Sequence, residues 1–325
     1  KEDTYAFSGP LPSMRDYDLS YYPIVVGTKL YYGSNSDNAI HCLDTKTGEE
    51  LWSYTSGGPI RVAPTYHSGR LYFGSDDGYA YCIKASSGKL VWKYSPTENT
   101  EKKVINNNSL ISFWPIRTGI LIEDDIAFFG ASLLPWKESY FCALNVETGK
   151  PDAVGTYIKK YENLTLEGAM ASTGTKIVQP QGRISPMFFD KSNGEQKGQL
   201  AGTGGCFVLI TPEKNIVHPN NTRAKSITET IDEYENPYGK DNKKKADFMS
   251  FKVGKEMVVQ DSVSYILTDN SISAYNRMSK KVIWVKRDYQ AHRIIVSGDV
   301  LFVGTTDKVY AVSTQNGHPL WESKV

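Results

Sequence analysis

The sequence predicts an all-β protein, a single β-propeller built from four-stranded antiparallel blades. A motif recurs along the chain in which a polar residue is followed by a Gly four residues later and a Trp eight residues later. The Trp residues of adjacent copies lie about 40 residues apart, from Trp52 to Trp92 and from Trp284 to Trp321, and each interval contains several short strands, which is typical of propeller blades. Aromatic residues make up 12% of the chain, and such residues favour strands.

Each position of the motif has a physical reason. An Asp or Asn at the first position starts a turn by accepting a hydrogen bond from the backbone two residues on. The Gly supplies the positive φ that such a turn needs, and the Trp fills the gap between adjacent sheets. Ala153 and Gly198 stand where the third and fourth copies should carry the Trp. The residues that define the motif are Asp44, Gly48, Trp52, Gly88, Trp92, Gly149, Asp190, Gly194, Trp284, Gly317 and Trp321.

Two of the four cysteines occupy equivalent places in the repeat. Cys42 and Cys82 stand two positions before the motif, where most other copies carry Ala and the fourth carries Phe188. Equivalent places on adjacent blades are too far apart for a disulfide, so we interpret both as small core residues. The disulfide state of Cys142 and Cys206 stays open at this point.

The repeats divide the chain into an N-terminal arm at 1–20 and a propeller at 21–325. Seven blades are favoured, and eight are possible if the arm and the end of the chain share a further sheet. Residues 95–109 are polar and predict an exposed loop. A second insertion places Trp136 on a loop, either as a contact residue or packed on the blade rim. The predicted blades are 21–54, 59–94, 110–158, 166–200, 204–247, 248–286 and 291–325.

Balanced charge limits the classes of partner. The net charge of +1 gives no electrostatic reason to expect nucleic acid. No apolar run is long enough for a transmembrane segment. The first residues carry no signal peptide, and we expect that one has been removed from an exported chain.

Two stretches of the repeat resemble a known family. GSDDGYAYCIKASSGKLVW and GTTDKVYAVSTQNGHPLW are similar to the blades of pyrroloquinoline-quinone-type (PQQ-like) propellers. That family contains quinone-dependent alcohol and sugar dehydrogenases. It also contains non-catalytic scaffolds, such as the lipoprotein of the outer-membrane assembly machine. The resemblance implies a propeller and an extracytoplasmic location, periplasmic or in another exported compartment.

The same resemblance bears on cofactors. The alcohol dehydrogenases of the family carry two adjacent cysteines that stack on the quinone, and they hold calcium with a Glu, an Asn and an Asp. This chain has no Cys-Cys pair, and no motif onto which the calcium ligands can be carried. We therefore predict no cofactor and no metal, while PQQ and calcium belong to the alternative of a dehydrogenase.

Three arginines stand at or near the start of predicted inner strands. If Arg61, Arg117 and Arg293 converge at the mouth of the channel, they can hold a polycarboxylate or a phosphate by bidentate pairs. Alternatively, each pairs with a carboxylate or a strand-end carbonyl of the protein itself. The remaining candidates for this site are Arg183, Gln181 and His292.

The functional prediction is a non-catalytic interaction module. Intact repeats without a recognisable reaction centre favour a rigid scaffold subunit of a larger complex, which binds other protein subunits through its loops and rim. The alternatives are a PQQ-dependent dehydrogenase and a propeller that binds a glycan or an anion in its channel.

Overall fold

The structure is a computed structural model. It describes residues 22–106, 109–182, 184–200, 207–219, 227–230, 247–251, 253–287 and 289–325. The predicted arm at 1–20 and the candidates Arg183 and Cys206 lie outside these residues.

The described residues form seven four-stranded antiparallel sheets and one two-stranded sheet, without a helix among them. Within every four-stranded sheet the strands follow chain order, so consecutive strands are neighbours. This is the architecture of a seven-bladed β-propeller, and it confirms the predicted all-β fold class. No helix that is long and apolar enough to cross a membrane occurs in the described ranges.

The first four blades contain sixteen strands, and a hairpin lies between the second blade and the third. Blade one consists of β1 Ile24–Val26, β2 Lys29–Gly33, β3 Ala39–Asp44 and β4 Glu50–Thr55. Blade two consists of β5 Thr65–His67, β6 Arg70–Gly74, β7 Ala80–Lys84 and β8 Leu90–Tyr94. The hairpin consists of β9 Lys103–Asn106 and β10 Ser109–Ser112. Blade three consists of β11 Leu121–Glu123, β12 Ile126–Ala131, β13 Ser139–Asn145 and β14 Tyr157–Tyr161. Blade four consists of β15 Ala171–Ser172, β16 Lys176–Gln181, β17 Ile184–Asp190 and β18 Gln196–Gln199.

The last three blades follow the same plan. Blade five consists of β19 Leu209–Ile210, β20 Ile216–Pro219, β21 Ile227–Thr230 and β22 Asp247–Phe251. Blade six consists of β23 Gly254–Gln260, β24 Val263–Thr268, β25 Ile272–Asn276 and β26 Lys281–Lys286. Blade seven consists of β27 Arg293–Ser297, β28 Val300–Gly304, β29 Lys308–Ser313 and β30 Pro319–Lys324.

Two predicted boundaries are wrong. The stretch 248–251, assigned to blade six, pairs with β21 as the last strand of blade five. The stretch 95–109, predicted as a loop, contains β9, which pairs with β10. The first error concerns the blade to which a correctly expected strand belongs, and the second arises because the polar sequence around β9 masks a short strand.

The chain folds as two compact units. One contains blades one to three and, from blade four, Gln179–Gln181 and Phe189–Gln196. The other contains the rest of blade four and blades five to seven.

Neighbouring blades interlock through the repeat motif. The motif glycines all have a positive φ, and Gly88 has a φ of 68°. A Cβ atom on Gly88 would lie 2.7 Å from Cε3 of Trp52, so the ring of one blade packs on the bare turn of the next. Gly317 stands in the same relation to Trp284, at 2.8 Å. The indole N–H of Trp284 also donates to the carbonyl of Thr314 at 2.8 Å.

Blade three keeps this interlock with a different residue. Ala153, which the motif spacing places at the Trp position, is exposed in the turn between β13 and β14. Tyr157 instead pairs with Ala143, as Trp52 pairs with Cys42 and Trp284 with Ala274. Its ring packs on Gly194, and its hydroxyl donates to the carbonyl of Lys191 at 3.2 Å. The turn is longer in this blade, so a fixed offset from Asn145 misses the aromatic residue.

Candidate functional site

Asp76 holds two of the predicted arginines together. Arg61 donates from Nε to Oδ2 of Asp76 at 2.7 Å. Arg117 donates from Nε to Oδ1 and from Nη2 to Oδ2, both at 2.8 Å. The side chain of Asp76 is only 1% exposed, while both arginine side chains are 14% exposed. One buried carboxylate therefore faces two guanidinium groups.

A repeated backbone arrangement places these two arginines. Each lies four residues before the first strand of its blade, directly after an isoleucine. Ile60 and Ile116 pack on Gly33 and Gly74, glycines of the preceding blades that leave no room for a Cβ atom. Their N–H groups donate to the carbonyls of Ser34 and Ser75. Equivalent anchoring of the two isoleucines explains why the side chains that follow them reach the same carboxylate.

The turn that carries Asp76 is fixed on both sides. The N–H of Asp76 donates to the carbonyl of Pro59, and its own carbonyl accepts from the N–H of Ser112 at 2.7 Å. The next residue, Asp77, accepts hydrogen bonds from the N–H of Gly57 at 2.9 Å and the hydroxyl of Tyr81 at 2.5 Å. The two carboxylates of the SDDG turn thus have separate tasks, since the first binds arginine and the second joins the turn to the adjacent loop.

This geometry matches the alternative in which the arginines pair with a carboxylate of the protein. One carboxylate is thus shared by two cations. Burying a carboxylate is costly unless it is paired and hydrogen-bonded, and here three charge-assisted bonds from the two arginines satisfy both oxygens. The cluster therefore ties the entrances of blades two and three together.

The other predicted site residues lie elsewhere in their units. Gln181 ends β16, is buried and forms an isolated bridge with Glu167. Arg293, at the start of β27, is half exposed, with its Nη1 atom 3.9 Å from Oε2 of Glu256. His292 shares a hydrogen bond of 2.9 Å with the hydroxyl of Thr306. Binding of an anion by the predicted set stays a prediction.

Burial changes the acidity of the partner of Arg293. Desolvation raises the pKa of Glu256 above its ordinary value, although Arg293 and the backbone N–H of Ile294 act to lower it. The ion pair is long, so it only partly offsets the cost of burying the carboxylate.

A second buried ion pair was missed in the sequence. Arg277 is fully buried and donates from Nη1 to Oε1 of Glu229 at 2.9 Å. Its Nη1 atom also lies 2.7 Å from Oε2 of Glu213, while Asn215 donates to Oε1 of Glu229 at 2.8 Å. The hydrogen bond from Arg277 lowers the pKa of Glu213.

A signal for this ion pair was present in the repeat. The residue directly after the first motif position is buried in blades two, three and seven, where it is Ala85, Val146 or Thr314. Arg277 occupies that position in blade six. An arginine at a position where other blades bury small or apolar side chains predicts a buried carboxylate partner.

The two insertions near blade three meet at its entrance. The indole N–H of Trp114 donates to the carbonyl of Glu138 at 3.0 Å, and the N–H of Ser132 donates to the carbonyl of Pro115. Both ends of the loop at 132–138 are thus attached to the segment that follows β10. Trp136, at the tip of this loop, is 66% exposed, which favours the interpretation as a contact residue.

The donor sets of the dehydrogenases are not assembled by the described residues. Cys42, Cys82 and Cys142 are free, buried and separate from one another in sequence. No three His, Cys, Asp or Glu side chains in the described ranges come together in a way that suits a metal ion. These residues do not fit the stacked cysteine pair of the quinone enzymes.

Repeated four-stranded sheets that interlock through Gly and Trp define a PQQ-like β-propeller protein. The chain belongs to the family described as outer membrane protein assembly factor BamB, whose model matches residues 36–203, just over half of the chain.

Individual relatives in sequence are enzymes. The chain is 29% identical over 143 residues to the alcohol dehydrogenase (quinone), dehydrogenase subunit, of Gluconobacter oxydans (strain 621H), covering 40% of this chain and 18% of that protein. It is 28% identical over 113 residues to the 1-butanol dehydrogenase (cytochrome c) of Thauera butanivorans, covering 31% of this chain and 16% of that protein. The chain thus spans less than a fifth of the length of these relatives.

Solved structures show the same fold. A europium-containing methanol dehydrogenase matches with a TM-score of 0.61 at 13% identity, over 93% of this chain and 77% of that one. The quinohemoprotein alcohol dehydrogenase from Comamonas testosteroni matches with a TM-score of 0.61 at 13% identity, over 93% of this chain and 66% of that one. At these identities the likeness concerns the fold alone.

Proposed function

We propose that this chain is a non-catalytic, extracytoplasmic β-propeller that serves as an assembly subunit of a larger complex. The observation that carries the proposal is the exposed Trp136 at the tip of an anchored loop, within the region that matches the outer membrane assembly family. Aromatic side chains supply much of the binding energy at protein interfaces. The family description supports a location at the outer membrane or in the periplasm.

The arginine cluster supports the same interpretation. Arg61 and Arg117 are engaged by Asp76, so their main task is to join two blades. A rigid framework with adaptable loops is what a docking subunit requires, because binding segments lie on loops that a scaffold positions.

Co-purification tests this proposal. The tagged full chain is extracted from its own cells under mild conditions, beside a Trp136→Ala variant and a Val154→Ala control. We expect a stoichiometric protein partner with the wild type and the control, and its loss or weakening with Trp136→Ala. A wild-type chain that sediments as a lone monomer without a partner would contradict the proposal.

A quinone-dependent dehydrogenase is the second candidate, favoured by the two dehydrogenase relatives. PQQ together with calcium or a lanthanide is added to the purified full chain. Quinone absorbance and dye reduction with primary alcohols are then measured. Stoichiometric binding with turnover would replace the assembly proposal.

A further inference from the structure

The hairpin β9–β10 presents apolar side chains on both of its faces. Val104 and Ile111 are opposite each other in the ladder, and Ile111 is fully buried. Ile105 and Leu110 form the adjacent pair, so they point to the other face. On that face Ile105 is 78% exposed and Leu110 is 60% exposed. One face thus covers the body of the unit, and the other has no cover in the described part of the chain.

The base of the hairpin is firmly attached to blades two and three. The N–H of Ser112 donates to the carbonyl of Asp76, and the N–H of Phe113 donates to the carbonyl of Lys102. The ammonium of Lys102 lies 4.4 Å from the ring centroid of Phe113 and 5.6 Å from that of Trp114. The hairpin is therefore held in a defined position.

Within the described part of the chain, one backbone edge of the strand β9 has no hydrogen-bonded neighbour. It pairs with β10 on one side, and no other described residue forms a backbone hydrogen bond with Lys103–Asn106. The edge of β10 is already engaged at its base through Ser112. A two-stranded sheet is marginally stable in water, and an unpaired edge is a template for a further strand.

The exposed charge on this face of β9 is positive. Lys103 lies on the same face as Ile105. Lys103 is exposed, and it forms no ion pair with a described residue. Glu98 and Glu101 lie before β9, outside the paired strands. The paired part of this surface therefore complements an apolar segment that carries a carboxylate.

We propose that an extended segment of a partner protein adds to β9 as a third strand, with apolar side chains beside Ile105 and Leu110 and a carboxylate at Lys103. This inference rests on the proposed function and names the mode of docking and the chemistry of the partner. Backbone pairing supplies affinity in such additions, and the side chains on alternate positions supply selectivity.

A peptide probe on the full chain tests the inference separately from co-purification. The probe is the nine-residue peptide Glu-Val-Thr-Val-Thr-Val-Thr-Val-Glu, and its comparator carries Lys at both ends. Amide hydrogen exchange of Lys103–Asn106 is followed by mass spectrometry. We expect the acidic probe to slow exchange there by about tenfold or more, and the basic comparator to have less effect.

Two variants make the result specific. Ile105→Ser combined with Leu110→Ser should remove the protection because it removes the apolar contact without adding charge, whereas Val154→Ser, at a fully exposed aliphatic residue in another part of the unit, should retain it. A thermal unfolding curve shows that each variant is folded. Absence of protection in the wild type, protection that persists in the double variant, or self-association through this hairpin in sedimentation overturns the inference. The proposed function is tested separately, by co-purification and by the quinone assay, and neither of those results depends on this hairpin.

Discussion

Gly88 lies against the face of the Trp52 indole, with no room for a side chain between them. A glycine at this position satisfies two requirements at once. It adopts a φ of 68°, which L residues rarely do, and it lets the ring of the preceding blade reach the backbone. The interlock between these two blades thus depends on the absence of a Cβ atom.

Substitution separates the two requirements. Gly88→Ala should lower the free energy of unfolding by about 2–5 kcal/mol, because backbone strain and a steric clash with Trp52 add together. Gly48→Ala is the matched control, since its φ is 74° but an added Cβ would meet nothing within 4 Å. Strain alone should cost the control about 1–2 kcal/mol. Urea unfolding measures the free energy of unfolding of both variants. Equal losses would show that the contact with Trp52 does not contribute to stability.

The repeat predicted this interlock better than it predicted the polar site. The spacing of Gly and Trp within one copy is local, so the sequence contains it directly for Gly48 and Trp52, and again for Gly88 and Trp92. The partner of Arg61 and Arg117 is Asp76, which lies in a turn after the second strand of blade two. Several turns of the repeat have similar sequences. The stacking of the sheets decides which of these turns lies near the entrances of two blades, and the repeat pattern does not contain that information.

The aromatic residue of blade three illustrates the same limit. Tyr157 takes the place of Trp although the motif spacing indicates Ala153. Tyr157→Ala should destabilise the protein by about 3 kcal/mol, because it removes the ring that packs on Gly194. Ala153→Ser, in the exposed turn, should change stability by less than about 0.5 kcal/mol. Thermal unfolding measures the stability of both variants. A larger loss of stability for Ala153→Ser would show that the residue at the motif spacing, and not Tyr157, takes the structural place of the Trp.

The buried carboxylate between the two arginines gives a further prediction. Asp76→Asn should lower the free energy of unfolding by about 3–5 kcal/mol, because it removes the buried carboxylate that two partly buried guanidinium groups share. Asp44→Asn is the control, since this turn residue lies nearer the surface and an amide oxygen can still accept from the N–H groups of Lys46 and Thr47. Denaturant unfolding at pH 7 tests both. If Asp76→Asn lowers the free energy of unfolding no more than Asp44→Asn does, the prediction is wrong, because water would then solvate both guanidinium groups well enough without the carboxylate.

The burial of Glu256 predicts how stability depends on pH. The sign of this dependence is opposite to that expected for a strongly paired carboxylate. Burial raises its pKa in the folded state, so between the unfolded and folded pKa values the folded protein binds more protons than the unfolded chain. Its contribution to stability is therefore most favourable below the unfolded pKa of about 4.3 and falls as pH rises through the folded pKa. Glu256→Gln should raise the unfolding midpoint at pH 7 and leave it nearly unchanged near pH 4. The exposed Glu101→Gln serves as the control and should shift neither midpoint. A Glu256→Gln chain that is less stable than the wild type at pH 7 would show that the pair with Arg293 outweighs the cost of burial.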